Sequence, residues 1–375
     1  MQAQKISVVR LLVKATLIFV AVVLIFGAVN PAPALGKISL YNWLLPGRER
    51  LPYGDDPERS YNLNLYNLDA MFASLKLAGM PKAEDEFRVF VIGDSSVWGF
   101  LLENKDTLTG ALNAVNLKTT SGKRVVFYNL GHPTISLTKD LMILDYAMQY
   151  EPDLIIWPVT LEAFPRSKQT SSPLVQNNAE RVRKLIDEFD LPIDPDNPDL
   201  AKQDFWGQSL IGQRRNLADI IRLQLYGLMW AATAIDVYIP DEVELRATDL
   251  EASEGFAGLQ PPEMNTGDLA FDALTAGIRV AGDTPMLIIN EPIFVSNGAN
   301  SDIRYNSFYP RWAYDDYRDL MQKQSDQQGW IYADLWQSVD NSEFTNTPIH
   351  LTPRGTLELA NSIIAILHDQ FNLTH

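Results

Sequence analysis

Arg88-Val89-Phe90-Val91-Ile92-Gly93-Asp94-Ser95-Ser96-Val97-Trp98-Gly99 is the stretch on which the reading of this chain turns. Its apolar run predicts a short buried strand, Gly-Asp-Ser-Ser breaks that strand, and helix-compatible residues resume behind the break. A serine in the first turn of such a helix stands at the carboxyl edge of a sheet. Backbone N–H groups without intrahelical partners surround it there, at the positive end of the helix dipole. Those are the conditions under which a serine hydroxyl serves as a nucleophile. Asp94 and Ser95 would equally serve as helix caps, and on this stretch alone capping is the better reading.

A second stretch shifts the balance. Thr347-Pro348-Ile349-His350-Leu351-Thr352-Pro353-Arg354-Gly355 forms a loop-to-helix junction ahead of the final amphipathic helix, and His350 is one of only four histidines. Taken together, Gly93-Asp94-Ser95 and His350-Leu351-Thr352-Pro353 resemble the SGNH/GDSL hydrolase family, over roughly residues 86–370 and with a large insertion. The resemblance implies a Ser95 nucleophile and a His350 base. The serine turn is not the Gly-x-Ser-x-Gly elbow of α/β-hydrolases, because Val97 holds the last position.

Composition narrows the field. A formal charge of −16 argues against nucleic acid, whose phosphates need clustered Lys and Arg. With no cysteine, disulfides, thiolate metal sites, a catalytic Cys and a lipoprotein anchor are excluded. His132, His350, His368 and His375 show no ligand spacing, so neither a metal nor another cofactor is expected.

Lys5, Arg10 and Lys14 precede an uncharged run from Ala15 to Val29. This predicts a single-pass anchor over residues 1–35, positive end inside and the remainder extracytoplasmic; a cleaved signal peptide ending near Ala32-Pro33-Ala34 is the other reading. Pro46, Gly47, Pro52 and Gly54 suggest a juxtamembrane stalk over 36–85, with Tyr41, Trp43 and Tyr53 either at headgroup level or packed on the domain. Residues 86–375 read as one hydrolase-like domain. Its expected strands are 88–92, 124–129, 153–157, 285–290 and 330–333, with helices between them. The expected fold is therefore α/β: a five-stranded parallel, flavodoxin-like sheet in a three-layer α/β/α sandwich, with a large helical insertion at 164–284 between strands 3 and 4. Every strand-end loop then lies on one edge, where ligands bind. Within the insertion, 217–238 reads as an apolar helix, either buried against the domain or lying at the membrane interface, and 241–268 as an acidic surface loop.

Block by block, the resemblance assigns Gly131, after the second strand, as a backbone donor that would join the Ser95 N–H in an oxyanion hole; an ordinary turn before Pro133 is as good a reading. The family's Gly-x-Asn-Asp aligns with Thr160-Leu161-Glu162-Ala163, so a carboxylate replaces the amide donor. Either Thr160 donates its hydroxyl, Glu162 is protonated, Glu162 turns to orient His350, or Glu162 points into solvent. The aspartate that relatives carry three residues before the histidine is Thr347 here. Asn346 could orient the ring through its side-chain oxygen, with a backbone carbonyl, Asp340 and Glu343 as alternatives. Tyr305, Phe308, Tyr309, Trp312, Tyr314, Tyr317, Arg304 and Arg311 follow the fourth strand, either as a surface that stacks on a sugar ring or binds an acidic polymer or, for Trp312, Tyr314 and Tyr317 on the helix above all, as packing against the insertion.

Three functions follow as expectations. The first is an extracytoplasmic serine esterase or O-acyltransferase that acts on ester-linked acyl groups of a small molecule or an envelope glycan. The second is a degenerate member that binds a glycan or an envelope partner. The third is a lipid-directed esterase that reaches the bilayer through 217–238.

Overall fold

Alternation along the central strands dictates a sheet covered on both faces. In a strand, successive side chains point to opposite sides. Val89 and Val91 enter one hydrophobic core, Phe90 and Ile92 the other; Leu154 and Ile156 oppose Ile155 and Trp157, and Leu287 and Ile289 oppose Met286 and Ile288. All of these are apolar, as a doubly covered parallel sheet requires. The structure, a computed structural model, describes residues 7–374 except 46, 55, 57, 62 and 263. Lys5, Pro46 and His375 therefore lie outside the described residues.

Strands β1 (Glu86–Gly93), β2 (Arg124–Gly131), β3 (Leu154–Val159), β4 (Met286–Asn290) and β5 (Ile331–Asp334) form one sheet in the order β2-β1-β3-β4-β5. Every pair is parallel. The order reverses direction between β1 and β3, so the crevice at their carboxyl ends is the topological switch point where such sheets bind ligands. Helices Leu137–Ala147 and Phe271–Ala281 pack together on one face, and Leu108–Ala114 and Pro353–Phe371 on the other. The Phe271–Ala281 helix, which leads into β4, was not anticipated from the sequence.

The apolar N-terminal helix runs Val8–Val29 and is long and apolar enough to cross a membrane. The 36–85 segment departs from the expected stalk. Leu51, Leu65, Leu68, Met71 and Phe72 are buried in the same core as one face of the sheet, because the segment carries its own apolar spacing between the Pro and Gly breaks. Tyr41 is fully buried and Tyr53 packs edge-on against Trp98 and His132, whereas Trp43 is exposed. The apolar insertion helix is observed at Arg214–Thr233. The 241–268 loop runs along the surface but sinks Leu250, Phe256 and Met264.

Candidate active site

Ser95 opens a one-turn helix, Ser95–Trp98, directly after β1, and Asp94 caps it by accepting from the Ser96 N–H at 2.8 Å. The Ser95 N–H, at the first helical position, has no partner within that helix. The loop ahead of the Pro353–Phe371 helix carries His350 to the same edge of the sheet. His350 Nε2 lies 2.8 Å from Ser95 Oγ and Nδ1 lies 2.9 Å from Asn346 Oδ1. The backbone N–H of His350 donates to Thr347 Oγ1 at 3.1 Å, and Phe100 stacks on the ring at 4.8 Å between centroids. The histidine is 7% exposed, and burial pulls its pKa down to about 4. At neutral pH the imidazole is therefore uncharged. With Asn346 Oδ1 facing Nδ1, the ring proton sits on Nδ1 and the Nε2 lone pair faces the serine hydroxyl, which is the state a general base requires.

Other residues anticipated around the oxyanion are engaged elsewhere. The Gly131 N–H donates to Asn129 Oδ1 at 3.0 Å, and the next N–H, of His132, donates to Gly93 O at 3.0 Å, so the expected donor of this loop is already used. Gly131 is needed for a different reason: a Cβ there would stand 2.4 Å from Trp98 N, so glycine lets β2 pass close beneath the Ser95–Trp98 helix. Thr160 Oγ1 is buried against the Tyr309 hydroxyl at 2.7 Å and does not face the serine as a free donor. Glu162 neither orients His350 nor points free into solvent; its carboxylate is ion-paired with Lys168. Asp340 caps Ser342, and Glu343 accepts from Thr352 and pairs with Arg354, so neither acid orients the ring. Asn346 is the side chain brought to Nδ1.

Tyr309, Tyr314 and Tyr317 are fully buried, and Arg304 spends its guanidinium on the carbonyls of Ser253, Asn306 and Ser307. That aromatic cluster is packing rather than a sugar platform. Its Tyr309 and Tyr314 rings lie 5.0 Å apart, and Trp336 packs on Tyr314.

Beneath the serine turn lies a buried charge cluster. Lys139, fully buried, donates to Gly93 O at 2.8 Å and His132 O at 2.7 Å and pairs with Asp140 at 2.6 Å. One ammonium thereby fastens the carboxyl ends of β1 and β2 together. Burial pushes Asp140 up to about 6, and burial together with the Asp94 charge raises Glu291 well above the carboxylate range. Glu291, at the end of β4, meets the Ser96 hydroxyl. Asn129 completes the support: its Nδ2 donates to Val97 O at 2.8 Å. These residues were missed from sequence, although Lys139-Asp140 inside the apolar Leu137–Ala147 helix was a visible anomaly. A groove of about 500 Å³, lined by Leu101, Pro240, Val243, Leu245 and Arg246, reaches Asn346 at the rim of the site.

No protein-family model matches the sequence, and no curated protein is similar to it in sequence. Solved structures are similar in chain course at low identity. A carbohydrate acetylesterase family member from Sinorhizobium meliloti is 12% identical with a TM-score of 0.32, over 75% of this chain and 97% of its own. Another carbohydrate acetylesterase from Sinorhizobium meliloti is 11% identical with a TM-score of 0.35, over 75% of this chain and 98% of its own. A gut microbial diltiazem-metabolizing enzyme is 10% identical with a TM-score of 0.36, over 76% of this chain and 48% of its own.

Proposed function

We propose that the chain is a serine esterase or O-acyltransferase of SGNH type that acts on ester-linked acyl groups. The observation that carries this is the 2.8 Å approach of His350 Nε2 to Ser95 Oγ across 255 positions of sequence. Ser95 Oγ attacks the ester carbonyl while His350 takes its proton. The Oγ–C bond forms in that attack; His350 then hands the same proton to the alcohol oxygen as the ester C–O bond breaks, which leaves acyl-Ser95, and water or an acceptor alcohol repeats the sequence in reverse. The Ser95 N–H faces the developing oxyanion. The apolar Val8–Val29 helix, preceded by Ser7 and carrying Arg10 and Lys14 in its first turns, supports an anchored protein whose domain is extracytoplasmic, and an acylated envelope glycan is the substrate class we favour.

The engagement of the Gly131 N–H and of Thr160 favours a second reading, a degenerate site that binds an acylated glycan or an envelope partner without turning it over. A fluorophosphonate probe separates the two. Labelling of the parent that disappears in Ser95→Ala supports the esterase. Equal labelling of both removes Ser95 as nucleophile, and labelling of neither, with the chain folded by circular dichroism, supports the binding role.

A further inference from the structure

The second half of the Arg214–Thr233 helix carries no charge beyond Arg222 and is apolar on more than one side, and such a segment belongs in a core or a membrane. Half of it has a protein partner. Ile220, Leu223, Gly227 and Trp230 face inward, and a Cβ at Gly227 would come within 2.3 Å of the Tyr41 ring. The opposite stripe has none among the described residues: Ile221, Leu225 and Leu228, at helical spacing, are 62%, 58% and 43% exposed. Exposed Trp43 and Leu44, on the short Leu40–Leu44 helix that packs on this one, and exposed Trp206 add to the apolar surface.

The course of the N-terminal helix indicates what covers it. A Cβ at Gly27 would stand 3.0 Å from the Phe205 ring, so the short Phe205–Gln208 helix packs on the last turns of the Val8–Val29 helix. Where that helix spans a bilayer, Phe205 and Trp206 sit at the level where it leaves the hydrocarbon, the depth aromatic rings prefer. The Arg214–Thr233 helix starts just beyond. It carries Arg214, Arg215 and Arg222 against Asp219 alone, a local positive balance in a chain of charge −16. A basic first half and an apolar outer stripe suit a helix lying in the headgroup region of a leaflet that contains anionic lipid.

We infer that this face is a membrane-docking surface: the domain lies down on the leaflet where the Val8–Val29 helix emerges, with the Arg214–Thr233 helix in the plane of the interface. The inference rests on the membrane-anchored reading above. It also bears on the site, because Asp236, just past the end of the helix, pairs with Arg50. Arg50 in turn donates to Gly99 O and Leu102 O, each at 2.9 Å, behind the serine helix. The serine turn is thus held at a fixed height above the lipid.

The cysteine-free chain allows a direct test. Leu17→Cys, Leu225→Cys and Lys323→Cys, each in the full chain, are spin-labelled and reconstituted into phosphatidylcholine vesicles containing phosphatidylglycerol. The relaxing effect of oxygen, which concentrates in lipid, is compared with that of a water-soluble nickel chelate. The inference expects oxygen to dominate at 17 and 225 and nickel at 323. Oxygen at 17 with nickel at 225 overturns the docking surface and leaves the anchor standing. Nickel at 17 overturns the anchor and the docking with it. Oxygen at all three positions, 323 included, overturns a specific face.

Discussion

His350 Nδ1 and Asn346 Oδ1 lie 2.9 Å apart, so a neutral amide oxygen orients the ring whose Nε2 meets Ser95. Through its oxygen the amide accepts the Nδ1 proton as a carboxylate would, but it is a weaker selector of the tautomer, since its own NH2 group can serve the other one, and it supplies no charge to the imidazolium that forms when the serine proton is taken. Burial acts in the same direction, since it too disfavours the charged ring. The geometry is that of a base and the electrostatics are those of a weak one.

Supplying the missing charge should strengthen the base. Asn346→Asp is expected to raise the His350 pKa by about one pH unit or more, as an opposite charge at hydrogen-bond distance does, and to speed fluorophosphonate labelling at neutral pH. Asn346→Ala, which frees the ring to rotate, should slow it by roughly 10- to 100-fold, up to the lower end of what a positioned general base contributes, because the ring itself is kept. An Asn346→Ala protein that labels at the parental rate would remove Asn346 from the mechanism.

In the parent the acid limb of the labelling rate should fall far below the ordinary imidazole range. Burial holds His350 near 4, so the base stays unprotonated through the weakly acidic range and the rate should halve near pH 4 rather than near 6.5. Labelling measured from pH 8 down, with circular dichroism at each step to show the chain folded, reads this directly. A midpoint at 6.5 would mean that the ring is solvated.

The sheet was legible because parallel strands buried on both faces read as continuous apolar runs, and RVFVI, RVVFYN, DLIIW and PMLIIN do so. Ser95 and His350 were legible because each sits where a strand-end loop meets a helix N-terminus. The surroundings of the serine were not. Whether Gly131 donates or merely makes room depends on Asn129 two residues earlier and on the helix above it, which no local pattern encodes. The partner of Glu162 is Lys168, one of many cations within reach along the chain. The 36–85 segment misread as a stalk because its Pro and Gly signals outweighed leucines whose burial depends on tertiary contacts.

Gly131 offers a steric test. The Cβ of Gly131→Ala would press to 2.4 Å on the backbone nitrogen of Trp98, which cannot rotate away. Overpacking of this kind costs about 1–3 kcal/mol and here must shift the Ser95–Trp98 helix, so stability and labelling should fall together. Gly267→Ala, where a Cβ would meet nothing within 4 Å, should stay within about 0.5 kcal/mol of the parent. A Gly131→Ala protein with parental stability would show that β2 and the serine helix are less tightly apposed than this.

His132 predicts a pH-dependent stability that can be isolated by one substitution. The residue is fully buried among Tyr53 and Tyr66, neither ring nitrogen has a hydrogen-bond partner among the described residues, and burial, helped by the Lys139 charge, pulls its pKa down to about 3. Folded, it stays neutral down to that pH; unfolded, it takes a proton below about 6.5. The stability that depends on this neutral ring is therefore intact above 6.5 and drains away as pH falls toward 3, at about 1.4 kcal/mol per pH unit once the unfolded form is protonated. His132→Phe keeps a planar ring and removes the titration. The gap between variant and parent should be constant above pH 6.5 and move in favour of the variant by about 1–2 kcal/mol between pH 6.5 and 5, because Asp140, Glu291 and His350 titrate alike in both. Denaturant unfolding of the detergent-solubilised full chain at pH 7.5 and 5.0 measures it, and a gap that does not change with pH would show His132 to be protonated or solvated in the folded protein.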